Sequence, residues 1–280
     1  MPDENSNLLV AQVRQVAALG ERIQTDADWT PAVSSLSVIL ITKNEAANIR
    51  DCIRSVSWAD EVIVVDSGSN DDTAAIARQM GARTYEHDWP GFGPQKNRAL
   101  EYATKDWVFS IDADERVTPE LRTEIQAAMN AGTNDAYEIP RLSSFCGRYI
   151  HHSGWRPDYV TRLFRRGAGR FSDDLVHERV LVTGSTGRLR QSILHESFRD
   201  TEQLLAKINQ YSTASALMLY NRNRKSSLKK AIAHALWAFL RTYILRAGFL
   251  DGREGFMLAV SSAEGTYYRY VKLLLLTDKK

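Results

Sequence analysis

The chain has 280 residues, of which 44% are hydrophobic, and this is enough for one packed core with an appended element. Its net charge of +2 does not indicate a class of partner. The two cysteines, Cys52 and Cys146, lie far apart without a CxxC spacing, which argues against a disulfide scaffold or a zinc site and favours a reducing compartment. No apolar run reaches the roughly 18 residues of a spanning helix, and the acidic first residues do not resemble a secretory signal, so we expect a protein on the cytoplasmic side.

Residues 1–35 are predicted to form an extension and linker, to which we assign no chemistry. From Leu36 the pattern changes to continuous apolar strands that alternate with amphipathic helices. Strands are predicted at 36–42, 61–66, 82–88 and 106–112. Helices are predicted at 44–56, 70–81, 94–104 and, between the cap Thr118 and Gly132, at 119–131. This alternation predicts an α/β fold with a mostly parallel, doubly wound sheet.

Beyond residue 135 the predicted strands are more isolated, with a hairpin-like turn at 183–187. From about Asp200 onward the chain is predicted to be helical. The sequence therefore divides into the extension (1–35), an α/β domain (36–200) and a C-terminal helical segment (201–280).

The stretch VFSIDADERV, residues 108–117, ends the fourth predicted strand in a group of carboxylates. Because like charges repel and are costly to bury, we expect a cation beside Asp112 and Asp114. Ligands of doubly wound sheets bind at the carboxyl ends of the strands, where Asp66 also lies. Carboxylates suit Mg²⁺ or Mn²⁺, either of which can bind a diphosphate, so a metal site is predicted here. The alternative is a surface loop, since DxD sequences also occur there by chance.

Polar residues also follow the first two predicted strands, in TKNE (42–45) and DSGSNDDT (66–73). Glycine and small hydroxyl residues allow a base and ribose to approach the backbone, and the Asp66 carboxylate can accept hydrogen bonds from them. A nucleoside pocket is therefore predicted. The alternative is helix capping by Asn44, Asn70 and Asp71, which is compatible with binding.

The segments LSVILITKNEAANIRDCIRSV, EVIVVDSGSNDDTAAIA, GPQKNRAL and DWVFSIDADE resemble, in this order, the nucleotide-sugar domain of the inverting family-2 glycosyltransferases, which have the GT-A fold. The resemblance covers residues 36–200 and implies a UDP-sugar donor. The donor-site residues that it implies are Thr42, Asn44 and Glu45 around the nucleoside, Asp66 at the base, Lys96 and Asn97 near the pyrophosphate or sugar, and Asp112 and Asp114 at the sugar and the metal. Many members have a second acid where Ser67 stands here. The chain lacks a Gln-x-x-Arg-Trp sequence, which argues against a processive polysaccharide synthase.

The later segments GWRPDYVTRLFRR, FSDDLVHERV, ILHESF and RTYILRAGFLDGREGF resemble the branch that includes the lipopolysaccharide inner-core β-glucosyltransferases. That resemblance implies transfer of glucose from UDP-glucose to a lipid-linked acceptor of the cell envelope. It also implies that His195 completes the metal site, as a C-terminal histidine does in many GT-A enzymes. The alternative for His195 is a core histidine with satisfied hydrogen bonds.

An inverting transfer needs a base that takes a proton from the acceptor hydroxyl. If LVHERV (175–180) is a strand, Glu178 shares a face with Val176 and Val180, and burial there would raise its pKa. Glu178 is therefore the first candidate for the base. The other candidates are Asp158, Asp173 and Asp174, and the alternative for Glu178 is a salt bridge to an arginine.

Two runs of the sequence are strongly basic. Residues 141–170 contain seven arginines and one acid, and residues 203–250 contain eight Lys or Arg and no acid. They favour an anionic acceptor and an anionic membrane surface over a solvated basic face, and we expect no nucleic-acid partner. In the second run, the face expected to be core contains Ile232, Leu236, Phe239, Leu240 and Tyr243. The face expected at a headgroup layer, or else at a dimer edge, contains Lys230, His234, Trp237, Arg241 and Ile244.

The sequence thus predicts a cytoplasmic, metal-dependent, inverting glycosyltransferase that is peripheral on the inner face of the membrane. A nucleotidyltransferase on the same fold is one alternative, but it would usually have a glycine-rich phosphate loop, which TKNEAAN (42–48) lacks. A non-catalytic membrane or partner adaptor is another, but it would not explain the carboxylates Asp112 and Asp114.

Overall fold

The computed structural model of the protein describes residues 34–173, 178–198 and 200–278, so nearly all of the predicted extension lies outside the described residues. The strands are β1 (Leu36–Thr42), β2 (Glu61–Asp66), β3 (Arg83–Glu86), β4 (Trp107–Ser110), β5 (Glu115–Arg116), β6 (Ala136–Phe145), β7 (Arg148–Tyr149), β8 (Tyr159–Arg165), β9 (Gly169–Phe171), β10 (Val180–Val182), β11 (Thr186–Arg188) and β12 (Ile193–Phe198). The α-helices are α1 (Ala46–Ser55), α2 (Thr73–Gln79), α3 (Phe92–Glu101), α4 (Pro119–Ala131), α5 (Thr201–Asn221), α6 (Leu228–Leu240) and α7 (Gly252–Asp278).

The main sheet has the strand order β3-β2-β1-β4-β8-β6-β12-β5, and β7 and β11 pair with β6. The first four strands pair in parallel, as the alternation of strands and helices predicts. In contrast, β8 runs antiparallel to both of its neighbours, β4 and β6. The register pairs Phe109 with Leu163, and because the strands are antiparallel, the preceding residue of β8, Arg162, lies beside the carboxyl end of β4.

The sheet separates two apolar cores, because successive side chains of a strand point to opposite faces. Val38 and Leu40 of β1 belong to the core covered by α1, α2 and α4, whereas Ile39 belongs to the core covered by α3 and β9. The continuous apolar runs of the sequence therefore correspond to strands that are covered on both faces.

The hairpin-like turn predicted at 183–187 does not join two paired strands. The Asp135 carboxylate accepts hydrogen bonds from the backbone N–H and the hydroxyl of Ser185, at 2.8 and 3.1 Å, which ties this turn to the start of β6. As a result, β11 pairs in parallel with β6, while β10 pairs with β9.

Residues after Asp200 are helical, as predicted, and α7 packs along both α5 and α6. Asp200 and Ser227 are the N-caps of α5 and α6, since their side chains accept hydrogen bonds from the backbone N–H groups of Gln203 and Lys230. A π-helical turn (Arg241–Leu245) and a 3-10 turn (Gly248–Asp251) lead from α6 into α7. In the described part of the chain, none of the helices is both long enough and apolar enough to cross a bilayer.

The expectation for the two faces of α6 is wrong in part. Phe239 and Tyr243 pack against Phe256, and Trp237 is exposed, as predicted. Three side chains predicted to be core, those of Ile232, Leu236 and Leu240, are exposed because they share the outer line of the helix at a spacing of four residues. This line, which we call the α6 ridge, consists of Leu228, Ile232, Leu236 and Leu240, with exposed fractions of 53%, 47%, 61% and 48%. On the face that was expected to point outward, His234 stacks on Tyr270 of α7 at 4.3 Å between ring centres.

The helical segment is joined to the α/β domain through Asp251, whose carboxylate is almost fully buried. It accepts hydrogen bonds from the backbone N–H groups of His151 and His152 and from the hydroxyl of Ser153, at 2.8 to 3.2 Å. The N–H of Ser153 in turn donates to the carbonyl of Arg246 at 2.9 Å. The loop that precedes β8 is therefore fixed against the turns between α6 and α7.

Candidate active site

The carboxyl ends of β1 and β2 carry a group of hydrogen-bonded polar side chains. Thr42 and Asp66 are paired in the sheet register, and the Thr42 hydroxyl donates to the buried Asp66 carboxylate at 3.0 Å. The backbone N–H and the hydroxyl of Ser69 also donate to Asp66, at 2.8 and 2.6 Å. The structure thus brings together Thr42 and Asp66, two of the residues expected to bind the nucleoside.

Asn44 and Glu45, also expected at the nucleoside, lie between β1 and α1. Asn44 has a left-handed backbone conformation with a φ of 56°. Its N–H donates to the Ser69 hydroxyl, and its side-chain oxygen accepts from the N–H of Asn70, both at 2.8 Å. The Glu45 carboxylate accepts from the Asn48 amide at 2.7 Å. Asn44 therefore joins the two strand-end turns that would flank a nucleoside.

Ser67, which follows Asp66 at the end of β2, is buried. Its hydroxyl accepts a hydrogen bond at 3.0 Å from Gln95 of α3, which is also fully buried. Ser67 and Gln95 thus fasten α3 to the end of β2. Sequence reasoning does not single out Gln95, because nothing in PQKNRAL indicates which polar side chain points inward.

Asp112 follows β4 and contacts two cations. Its Oδ1 lies 3.1 Å from Lys96 Nζ, and its Oδ2 accepts a charge-assisted hydrogen bond from Arg162. Burial disfavours the charged carboxylate, but the Arg162 guanidinium and the Lys96 ammonium outweigh this effect and hold the pKa of Asp112 well below its usual range. Two cationic side chains of the protein therefore balance the charge of Asp112, and the metal predicted beside it stays a prediction.

Glu115 and Arg162 form a buried ion pair behind Asp112, and neither is among the site residues predicted from the sequence. Glu115 is completely buried, accepts the N–H of Asp112 at 3.0 Å and pairs with Arg162 at 2.7 Å. Complete burial raises the pKa of Glu115, although Arg162 opposes this shift. The sequence contains a signal for the pair, since an acid follows DAD directly, but it does not indicate which of seven arginines would be buried beside it.

Asp114 lies beside His195 of β12. The Nε2 atom of His195 is 3.4 Å from Asp114 Oδ2, while its Nδ1 is 2.9 Å from the Ser143 hydroxyl and 3.0 Å from the Ser197 hydroxyl. The two serines hold the ring so that Nε2 points toward the carboxylate. Histidines that bind metals are usually oriented in this way, by a hydrogen bond to the other ring nitrogen.

A divalent metal fits Asp114 and His195 as a two-ligand, open site, in which the remaining positions would be filled by phosphate oxygens and water. Asp112, the third predicted ligand, instead has both carboxylate oxygens paired with cations. Within residues 34–173, 178–198 and 200–278, no cluster of three or more Asp, Glu, His or Cys side chains is arranged to hold a metal. Carboxylates of this chain alone therefore do not complete a coordination sphere in the described part.

A cavity of about 520 Å³ is lined by Lys96, Asp112, Arg162 and Glu178, among others. Lys96 Nζ lies 2.8 Å from Glu178 Oε1, so this lysine bridges Asp112 and Glu178. Glu178 precedes β10 rather than lying within a strand, and its ionic partner is a lysine rather than an arginine. The cavity therefore combines the candidate base with the end of β4.

The remaining candidates occupy different surroundings. Asn97 forms two hydrogen bonds with the backbone of Phe171, at 2.9 and 3.0 Å, and so attaches β9 to α3. Asp158 is paired with Arg141 at 2.7 Å, and Asp173 is exposed. Asp174 lies outside the described residues.

Comparisons with known proteins agree with this architecture. The model of the family "Glycosyl transferase family 2" matches residues 37–198. An uncharacterized glycosyltransferase of Rickettsia felis is 33% identical over 260 residues, which cover 86% of this chain and 90% of that protein. The lipopolysaccharide core biosynthesis glycosyltransferase LpsC of Rhizobium meliloti is 31% identical over 252 residues, which cover 85% and 91%.

A crystal structure of glucosyl-3-phosphoglycerate synthase from Mycobacterium tuberculosis, in complex with Mn²⁺, UDP and glucosyl-3-phosphoglycerate, has 30% identity to this chain. The match covers 40% of this chain and 45% of that chain, and the TM-score is 0.35. This overlap is too small for a comparison of the two sites.

A mixed α/β sheet with polar side chains at the carboxyl ends of its parallel strands, followed by C-terminal helices, defines a GT-A-like protein, as the sequence predicts. The chain belongs to glycosyl transferase family 2 and is a glycosyltransferase.

We expect Arg162→Met to lower the free energy of unfolding by about 3–5 kcal/mol, because it leaves Asp112 and the buried Glu115 without their shared cation. Combining it with Glu115→Gln should recover part of that loss, since the buried charge is then removed as well. Urea denaturation followed by circular dichroism measures both effects. The control is Arg54→Ala, which removes an exposed guanidinium at the end of α1. Purely additive effects of the two substitutions would contradict the coupling.

Proposed function

We propose that this glycosyltransferase is a metal-dependent, inverting enzyme that transfers glucose from UDP-glucose to a lipid-linked saccharide of the cell envelope, such as the lipopolysaccharide core. The observation that carries the proposal is the cavity in which Lys96 bridges Asp112 and Glu178. The name of the LpsC relative supports the class of acceptor. The resemblance of residues 154–198 to inner-core β-glucosyltransferases supports glucose as the sugar.

In this proposal the turns after β1 and β2 bind the nucleoside, with Asp66 at the uracil base. Thr42 and Ser69 donate hydrogen bonds to Asp66, which fixes the direction of its carboxylate before the donor arrives. Lys96 and Arg162 place two positive charges in the cavity at the end of β4. Cations in a partly desolvated cavity stabilise the negative charge that develops on the leaving diphosphate.

Glu178 is the proposed base. It would accept the proton of the acceptor hydroxyl while the hydroxyl oxygen attacks the anomeric carbon and the bond from that carbon to the diphosphate breaks. Its pairing with Lys96 directs the carboxylate into the same cavity as Asp112. A divalent metal at Asp114 and His195 would supply further positive charge to the departing diphosphate.

The first test addresses the metal. We expect Asp114→Ala and His195→Ala to abolish Mn²⁺-dependent hydrolysis of UDP-glucose, because each removes one of two protein ligands. Hydrolysis of a panel of UDP-sugars by the purified protein, with Mn²⁺ or with EDTA, measures this effect and also separates a glycosyltransferase from a nucleotidyltransferase or an adaptor. Asp51→Ala, which removes an exposed carboxylate of α1, is the control. Full activity of wild type in EDTA would overturn the metal dependence.

The second test addresses the base. Glu178→Gln retains the shape and the hydrogen bond to Lys96 but cannot accept a proton, so turnover should fall by about 10²- to 10⁴-fold while donor affinity changes little. Steady-state kinetics and UDP binding measure the two quantities. Asp158→Asn and Asp174→Asn serve as comparisons. If one of them shows this pattern and Glu178→Gln does not, the base is assigned to the wrong residue.

We further propose that the helical segment lies on the anionic inner face of the membrane, where it would meet a lipid-linked acceptor. The α6 ridge exposes four large apolar side chains, and Trp237 beside it is 54% exposed. The sequence from 203 to 250 adds eight basic residues without an acid. An apolar line with a tryptophan and surrounding cations suits the boundary between headgroups and acyl chains.

Two sets of substitutions separate the apolar from the electrostatic part of this contact. Ile232→Ser with Leu236→Ser should weaken binding to vesicles of phosphatidylglycerol and phosphatidylethanolamine by at least about tenfold at low and at high salt. Lys229→Glu with Lys230→Glu and Arg241→Glu should weaken it by roughly a hundredfold at low salt, because each cation contributes about 1 kcal/mol.

Co-sedimentation with vesicles measures both effects, and hydrolysis of UDP-glucose should remain in both variants. Leu181→Ser, which changes an exposed apolar residue of β10, is the matched control. If both variants sediment like wild type at every salt concentration, the α6 ridge is not a membrane contact, and size-exclusion chromatography would then test a dimer.

A further inference from the structure

A second pocket, of about 350 Å³, lies beside the larger cavity. Arg141 lines both, and the smaller pocket is also lined by its ionic partner Asp158. Its volume is within the range of small-molecule sites. Nothing in the proposed reaction assigns a ligand to it.

The walls of this pocket have the chemistry of a saccharide site. Trp155 and Phe198 form an aromatic part, with ring centres 6.1 Å apart, and Ser143 and Ser197 contribute hydroxyl groups. A sugar presents apolar C–H groups on its ring faces and hydroxyls at its edge, so an aromatic wall next to hydrogen-bonding groups matches both.

Two cations lie near this pocket without acidic partners. Lys207 Nζ is 4.8 Å from the ring centre of Phe198 and donates to the Ser197 carbonyl at 3.4 Å. The Arg156 guanidinium, adjacent to Trp155 in the chain, is hydrogen-bonded to the ring of His151 and to the hydroxyl of Ser192, at 3.3 and 3.4 Å. Neither cation forms an ion pair with a carboxylate of the described residues. Unpaired cations beside a sugar-like pocket favour an anionic ligand.

The pocket also adjoins the reaction centre. His195 lines it, and the Nε2 atom of His195 faces Asp114 while its Nδ1 faces Ser143 and Ser197. A ligand that contacts these two serines would therefore lie one side chain away from the candidate metal pair.

We infer that this pocket is the acceptor subsite, and that it binds a saccharide unit that carries a carboxylate or a phosphate. The inference rests on the proposed function and specifies its acceptor. The anionic unit occupies the pocket, with its charge toward Lys207 and Arg156, and a neighbouring hydroxyl extends past Arg141 toward Glu178 in the larger cavity.

The connection to the helical segment supports this assignment. Residues 151–153, which lie just before Gly154 and Trp155, are fixed by the buried carboxylate of Asp251, the last residue of the 3-10 turn before α7. One wall of the pocket is thus attached to the segment proposed to contact lipid, as a site for the saccharide of a lipid-linked acceptor requires.

Saturation-transfer NMR on the full-length protein tests the pocket with glucose, glucuronic acid and glucose 6-phosphate as probes. We expect at least one anionic probe to bind more tightly than glucose, and the two anionic probes separate a carboxylate site from a phosphate site. Lys207→Ala and Arg156→Ala should each reduce the affinity for the anionic probe by up to about fivefold without changing that for glucose. Trp155→Phe should weaken binding of all probes that bind. Arg54→Ala, an exposed arginine at the far end of α1, is the control.

Equal affinity for all three probes, or an anionic preference that persists in the Lys207→Ala/Arg156→Ala double variant, would overturn the inference. Hydrolysis of UDP-glucose with Mn²⁺ is measured on the same preparations. Hydrolysis without an anionic preference would refute this pocket alone, whereas absence of hydrolysis by wild type would refute the proposed function itself.

Discussion

The guanidinium group of Arg162 lies between two carboxylates that follow the same strand. Asp112 faces the cavity, whereas Glu115 is wholly buried, so that a charged Glu115 in particular depends on this cation. The arginine comes from β8, the strand that interrupts the parallel pattern of the sheet. The antiparallel strand β8 therefore supplies the positive charge that balances the acids after the parallel strand β4. The same two ion pairs fix the turn that contains Asp114.

Further hydrogen bonds and ion pairs orient the polar side chains around Arg162, Asp112 and Glu115. Lys96 connects Asp112 to Glu178, Gln95 in the preceding position connects α3 to Ser67, and Ser143 and Ser197 orient His195 toward Asp114. These contacts join α3, β4, β6, β8 and β12. Because a shift of any one element would break one of these hydrogen bonds or ion pairs, the contacts favour a preorganised site.

The helical segment is part of this arrangement. Its connection through Asp251 reaches the loop that contains Trp155, while the α6 ridge lies on the outer surface. The sequence pattern of α6 is compatible with either face being buried, because each has apolar members. His234 stacking on Tyr270 decides the orientation, and Tyr270 belongs to α7, more than thirty residues later in the chain. The periodicity of one helix therefore could not predict which side a neighbouring helix covers.

The sequence by itself determined β1 to β4, α1 to α4, the strand-end positions of Asp66 and Asp112, and the family, because apolar runs and capping residues act locally and the motifs are contiguous. The pairing of Thr42 with Asp66 follows directly from two adjacent parallel strands. Only the tertiary structure decided that Arg162, among seven arginines, is buried beside Glu115, that Lys96 pairs with Glu178, and that β11 joins β6. Those outcomes depend on contacts between residues about 50 to 80 positions apart, whose energies are set by burial and by neighbouring charges rather than by local pattern.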